Sequence, residues 1–158
     1  MRRIADPAVV EFLDRVPQPY RLADALEYVR GSSESWSTGE NTNFAILVDG
    51  LEGPAGSIGV RWTELADGIA EVGYWVAAEA RGRGVATTAA RLVAHWAFDV
   101  APHLERLQLR ADVLNAASNR VAEKAGFTRE GVLRSSRFNE RLHRRIDFVM
   151  WSLLRHEL

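Results

Sequence analysis

The stretch Ala80-Arg81-Gly82-Arg83-Gly84-Val85-Ala86-Thr87 holds the residues best suited to do chemistry. It lies between a hydrophobic run, Ile69 to Ala78, and a helix-like pattern, Val85 to Val100. A glycine-rich turn that opens a helix leaves the first backbone N–H groups without intrahelical acceptors, at the positive end of the helix dipole. Gly82 and Gly84 bring backbone freedom and no side chain to bar a ligand, and Arg81 and Arg83 bring charge. Together they make a cradle for an anion, most naturally a pyrophosphate; a plain Arg/Gly surface turn is the competing reading. The stretch lacks the Gly-Lys-Ser/Thr ending of a P-loop. Thr87 stands where Gly-x-Gly-x-x-Gly needs its third glycine, so neither common nucleotide loop fits.

The elements that must position this cradle are legible from periodicity. Asp6-Pro7 reads as a helix start, with Asp as N-cap and Pro at the first helical position, and Pro17 and Pro19 break that helix. Leu22 to Arg30 has helical spacing and Gly31 as its expected C-terminal cap; Ser32 to Asn43 reads as a polar loop around Trp36. Phe44 to Val48, Ala55 to Thr63 and Ile69 to Val76 read as three strands joined by turns at Asp49-Gly50 and Ala66-Asp67-Gly68, an antiparallel meander. Val85, Ala89, Leu92, Trp96 and Val100 mark one face of the long helix that follows the cradle. Leu107 to Val113 should run parallel to the third strand by a right-handed crossover. A short helix, Ser118 to Ala125, ends at Gly126, and Phe127 to Phe138 with Arg144 to Leu154 form a last antiparallel pair.

With 158 residues, ordinary composition and no linker or repeat, the chain reads as a single α/β domain over 1–158. A net charge of −1 points to no nucleic-acid partner. The absence of cysteine excludes disulfides, thiolate zinc sites and a thiol nucleophile. No apolar run is long enough to span a bilayer, and Met1 to Asp6 is not a secretory signal, so the expectation is a cytoplasmic protein without a membrane partner. Lys124 is the only lysine among many arginines, a bias expected of a GC-rich bacterial genome. His95, His103, His143 and His156 show no metal spacing, so no metal is expected. Trp62, Trp75, Trp96 and Trp151 lie in regular elements and read as core.

Arg81-Gly82-Arg83-Gly84-Val85-Ala86 matches Arg/Gln-x-x-Gly-x-Gly/Ala and resembles the pyrophosphate loop of the GNAT superfamily of N-acetyltransferases. The order of elements from Asp6 to Leu154 is similar to the GNAT fold. Glu71-Val72-Gly73-Tyr74-Trp75-Val76, Asn115 to Phe127, Glu130-Gly131 and Asp147 narrow the resemblance to the RimJ/RimL branch. The resemblance implies a mixed, mostly antiparallel sheet with flanking helices and a parallel pair at the cofactor cleft. Its first strand is clipped or absent here, because Met1 to Ala5 is too short for a strand. An apolar, strand-like segment encoded upstream is the expected explanation of that bare edge.

The activity the resemblance implies is acetyl transfer from acetyl-coenzyme A to a primary amine, either a peptide α-amine or a small molecule, by direct attack in a ternary complex. A binding module that has kept the cofactor and lost catalysis is the alternative. The amine must be neutral to attack: at pH 7 roughly a tenth of an α-amine is neutral, against about one part in 2500 of a lysine amine. Glu71 is the candidate base, on one strand face with Gly73 and Trp75; an ion pair with Arg61 is its other reading. Ser118 is the candidate for protonating the departing thiolate, or else the N-cap of its own helix. Many relatives place a tyrosine in that helix, where Ala122 stands here. By resemblance Arg81, Arg83, Gly84, Val85 and Ala86 hold the pyrophosphate and the backbone of Val76 and Ala78 faces pantetheine, with the Val76 N–H toward the oxyanion. Asn115 either contacts pantetheine or shapes its turn, and Trp36 is the candidate for the acceptor pocket. A homodimer is also an expectation of the resemblance.

Overall fold

The structure, a computed structural model, describes residues 3–13 and 16–158. Alternation builds the meander as expected. Strand β1 (Asn41–Ile46) pairs antiparallel with β2 (Gly56–Glu64), and β2 with β3 (Ile69–Val76). Ile58, Val60, Ala70 and Val72 are buried on one face, while Ser57, Arg61, Glu71 and Gly73 share the other by the two-residue period. Helix α3 (Val85–Val100) covers the apolar face, and β4 (Arg106–Asp112) returns parallel to β3. Helix α4 (Ala116–Ala125) leads to the hairpin of β5 (Thr128–Asn139) and β6 (Arg144–Leu154), giving the sheet order β1-β2-β3-β4-β6-β5. This is the mixed, mostly antiparallel sheet with one parallel pair that the sequence implies.

One break in this sheet positions the site. β3 and β4 pair over only three rungs, Ile69↔Arg106, Ala70↔Leu107 and Glu71↔Gln108. Beyond Glu71, β3 stays with β2, whereas β4 follows β6 for seven rungs to Asp112↔Phe148. The sheet therefore opens between β3 and β4 on the side that leads into the cradle.

Three expectations are corrected. The second helix, α2, runs Leu22–Thr38 and passes through Gly31; Gly39, at φ 73°, caps it instead. A glycine inside a helix costs only about 1 kcal/mol against alanine. The hydroxyls of Ser33, Ser37 and Thr38 donate to carbonyls one turn back, so a polar stretch that reads as loop is satisfied as helix. Strand β1 accordingly starts at Asn41, inside the expected loop. On α3 the buried residues are Ala90, Val93, Ala94, Ala97 and Phe98, while Leu92 and Val100 of the expected face are 66% and 52% exposed. Three alanines let the helix approach the sheet closely, and that selects the face over one carrying larger side chains. At the start of the chain Asp6 caps the four-residue helix α1 (Pro7–Val10) by accepting from the Ala8 N–H. Arg3 to Ala5 form turns, and the rest of Met1 to Ala5 lies outside the described residues. Among the described residues no helix is long and apolar enough to cross a membrane.

The hairpin is tied to β4 by charge. Arg106 donates to both oxygens of Glu130 (2.6 and 2.5 Å), and Ser152 donates to the same carboxylate at 2.8 Å. The Arg106 hydrogen bonds, helped by Ser152, pull the Glu130 pKa from 4.5 to about 2. A depressed carboxylate stabilises the fold above its unfolded pKa and loses that contribution as pH falls through the folded value. Wild type and Glu130→Gln should therefore differ in unfolding free energy above pH 4.5 and converge toward about pH 2. Denaturant titrations across that window check this, and a gap that stays constant to pH 2 would dismiss the ion pair as the cause.

Candidate active site

The cradle is open. Gly82 and Gly84 sit at φ 71° and 77°, in the left-handed region that favours glycine, and a Cβ on either would meet nothing within 4 Å. The first helical bond of α3 is Thr88 N–H to Gly84 C=O, 2.9 Å. The six preceding N–H groups, Gly82 to Thr87, find no acceptor among the described residues. They form a positive concavity at the helix N-terminus. The two arginines divide the work. Arg81 turns inward, its Nε donating to Val76 C=O (3.1 Å) and its guanidinium to Asp6 (2.9 Å), so it ties the loop to β3 and to the α1 cap. Arg83 is exposed and has no partner among the described residues.

The strand edge beside the cradle faces the gap. Ala77 N–H donates to Ala55 C=O at 2.7 Å. The alternation of an antiparallel ladder then bonds 57 with 75, 59 with 73 and 61 with 71. It turns the N–H and C=O of Val72, Tyr74 and Val76 away from β2, toward β4. Beyond the three parallel rungs no strand meets them. The Val76 carbonyl is occupied by Arg81, which leaves its N–H for a ligand. The Ala78 carbonyl accepts from Arg81 N–H at 3.1 Å.

The two candidate proton-transfer residues lie on opposite faces of the sheet, at this gap. Glu71 is on the face away from α3, where its Oε2 is 2.6 Å from Arg110 on β4. Arg61 is its direct cross-strand neighbour, yet the ion pair forms with Arg110, so the partner read from sequence is corrected. Ser118 is on the α3 face, in the first turn of α4. It is not the cap of that helix: Asn115 is, accepting from Ser118 N–H at 3.0 Å. The Ser118 hydroxyl instead bonds the Tyr74 phenol at 2.8 Å. Burial pushes the Tyr74 phenol above its usual pKa, and the hydrogen bond to Ser118 offsets part of the rise, so the phenol stays protonated at neutral pH. Tyr74 escapes the sequence reading. The signal was Ala122, which is fully buried and leaves the short helix without a phenol; the two-residue period places Tyr74 opposite Glu71, on the side of Ser118.

A trough of about 220 Å³ opens on the Glu71 face. Gly59 and Gly73 are in register on neighbouring strands, and their missing side chains form its floor. Arg61 and Glu71 flank it at one end, Ser57 and Trp75 at the other, with Tyr28 of α2 above, its hydroxyl 3.2 Å from Ser57 Oγ. Trp75, read as core, lines this trough, and its buried indole N–H has no acceptor among the described residues. Trp36 is in helix α2, not in a loop. It packs edge-on to Phe44 (5.4 Å) and near Trp96 (6.4 Å), and the trough is lined without it. Among the described residues no group of three or more His, Asp or Glu is placed to hold a metal.

Comparison with known proteins gives a consistent result. Residues 2–128 match the acetyltransferase (GNAT) domain family. The "Putative ribosomal N-acetyltransferase YdaF" of Bacillus subtilis (strain 168) is 39% identical over 88 residues, covering 56% of this chain and 46% of its own length. The chain thus spans about half of that relative. The "Uncharacterized N-acetyltransferase p20" of Bacillus licheniformis is 25% identical over 97% of this chain and 84% of its own. The solved structure of Mycobacterium smegmatis RimJ in complex with CoA-disulfide superposes with a TM-score of 0.76 at 26% identity, covering 86% of this chain and 63% of that one.

Proposed function

Because the chain belongs to the GNAT family of acetyltransferases, close to the RimJ/RimL type, we propose that it acetylates a primary amine from acetyl-coenzyme A by direct attack within one ternary complex. The observation that carries this reading is the run of six N–H groups, Gly82 to Thr87, unpaired among the described residues, beside a strand edge whose next free donor is the Val76 N–H. The spacing suits a pyrophosphate with a hydrogen-bonding tail, and acetyl-coenzyme A would supply the acyl group as a thioester. The N–H groups around Gly84, Val85 and Ala86, with Arg83, hold the diphosphate. Arg81 holds the loop in shape. The backbone at Val76 and Ala78 lines the tail, and Asn115 keeps the start of α4 open beside it.

Each proton then has a residue to move it. Glu71 takes the proton of the attacking amine through its free oxygen while Arg110 holds the other. The Val76 N–H faces the carbonyl oxygen as it gains charge. The Ser118 hydroxyl donates toward the sulfur and is itself bonded to Tyr74, whose protonated phenol backs it. The amine is a peptide N-terminus or a small-molecule amine. Similarity to the putative ribosomal N-acetyltransferase YdaF favours a peptide α-amine as the first acceptor to try.

Thiol release from acetyl-coenzyme A across a panel of amines tests this reading. Release that depends on the amine supports transfer; binding without amine-dependent release leaves only a binding module. A pH–rate series adds the roles. Glu71→Gln should lower kcat/KM about ten- to a hundredfold near pH 7 and recover most of it near pH 9, where the α-amine deprotonates unaided. Ser118→Ala should lower kcat by a similar factor across that range with acetyl-coenzyme A still bound, and it leaves the Asn115 cap intact. Full activity of Ser118→Ala would remove Ser118 from the mechanism.

A further inference from the structure

The charge around the trough is the wrong sign for a simple amine. A site that selected polyamines or basic peptides would line itself with carboxylates. Here Glu71 is the one carboxylate among the described residues that line the trough, and Arg110 already neutralises it at 2.6 Å. Arg61 remains. It is exposed at the trough wall, directly across from Glu71 in the β2–β3 register, and has no acceptor among the described residues. The three side chains leave one positive charge in excess. A second donor waits at the other end: the Trp75 indole N–H is buried against the trough and has no acceptor among the described residues. Buried donors are as a rule paired, with protein, water or ligand, so this N–H is available to a ligand atom that enters the trough.

We propose that the accepted amine carries an anionic group a few bonds from its nitrogen, a carboxylate or phosphate that Arg61 holds while the amine lies against Glu71. The inference rests on the acetyl-transfer reading and deepens it by naming the acceptor class. Cross-strand neighbours stand about 5 Å apart at Cβ, so the anion and the amine must belong to one small unit. An acidic first or second residue of a peptide fits, and so does a free amino acid with its own carboxylate. Arg61 can engage either with two parallel N–H bonds. Trp75 then serves a neutral oxygen of the same molecule, such as the first peptide carbonyl.

The test is a specificity series with purified full-length chain. C-terminally amidated peptides beginning Asp, Ala or Lys and otherwise identical are compared with free aspartate and free alanine, reading kcat/KM from thiol release. Wild type should favour the Asp peptide over the Ala peptide by about tenfold or more, the scale of one charge-assisted hydrogen bond, with the Lys peptide poorest. Free alanine outpacing the amidated Ala peptide would assign the anion to a free carboxylate; the Asp peptide outpacing free aspartate would assign it to an acidic side chain. Arg61→Gln should collapse the Asp-to-Ala ratio toward one, and Arg61→Glu should invert the Asp-to-Lys order. The wild-type preference should shrink as salt rises, since Arg61 is exposed. Calorimetric titration with acetyl-coenzyme A verifies that each variant is folded, because the cradle lies beyond the far end of β3. Equal rates for acidic and neutral acceptors, or a ratio unmoved by Arg61→Gln, overturns the inference while acetyl transfer stands. No amine-dependent release with any acceptor overturns both.

Discussion

Gly84→Val is expected to weaken acetyl-coenzyme A binding by at least about a hundredfold in a protein that still folds. Gly84 is the N-cap of α3 at φ 77°, and an L-residue in that conformation costs about 1–2 kcal/mol, more when β-branched. The space above it is empty, so the isopropyl group would stand where the N–H groups of Val85 and Ala86 look out. Hydrogen bonds to a charged acceptor are worth about 1.5–3 kcal/mol each, so losing two of them exceeds a hundredfold in affinity. Strain is separated from blockage by Gly39→Val. Gly39 has φ 73° and equally open surroundings at the end of α2, away from the cradle. That variant should lose a similar amount of stability and keep its affinity. Titration calorimetry on both variants decides the matter. Unchanged affinity in Gly84→Val would place the diphosphate somewhere other than the start of α3.

The second large effect is expected at the trough. Gly73→Val should lower kcat/KM for the acceptor by about a hundredfold or more while acetyl-coenzyme A affinity stays within about twofold. Gly73 is exposed, has no positive φ, and a Cβ there meets nothing within 4 Å. Valine is favoured in strands, so the fold should tolerate it or gain from it. Its branches would fill the trough floor beside Glu71, where a displacement of the amine by about 1 Å already costs on the order of a hundredfold. The paired glycine behaves differently. A Cβ on Gly59 would stand 2.2 Å from Asn43 Oδ1 and 2.7 Å from the Thr42 carbonyl, so Gly59→Ala damages the sheet and cannot report on the acceptor. Steady-state kinetics with acceptor varied at saturating acetyl-coenzyme A would show the effect. Normal acceptor kinetics in Gly73→Val would mean that the amine arrives by another route.

Local chemistry alone determined much of this molecule. Ile69 to Val76 and Val85 to Val100 have the bounds that alternation and helical spacing assign, because each is closed by signals within the element: Gly68 before the strand, Gly84 before the helix and Pro102 just after it. The cradle was legible for the same reason, since glycine at fixed offsets before a helix has few other uses. The end of the short helix at Gly126 and the closing hairpin follow from glycine and the flanking alternation, whereas the helix begins at Ala116 under the Asn115 cap, two residues before the expected Ser118.

What escaped the sequence depends on distance across the sheet. Alternation puts Glu71 on a face but does not say whether Arg61 or Arg110 reaches it; the parallel register with β4 and the geometry of the opening sheet decide for Arg110. The bond from Tyr74 to Ser118 joins residues 44 apart, and only the packing of α4 against the open strands makes them neighbours. The gap itself has its cause far along the chain, because β4 leaves β3 to follow β6, which begins at Arg144. The length of α2 and the position of Trp36 were misread because hydroxyls that look like loop residues can bond within a helix, and that choice depends on contacts the helix makes with Phe44 and Trp96. Sequence specified which groups could act; the tertiary fold decided which of them meet, since a contact across strands is set by register and splay, and neither is written in the spacing of one segment.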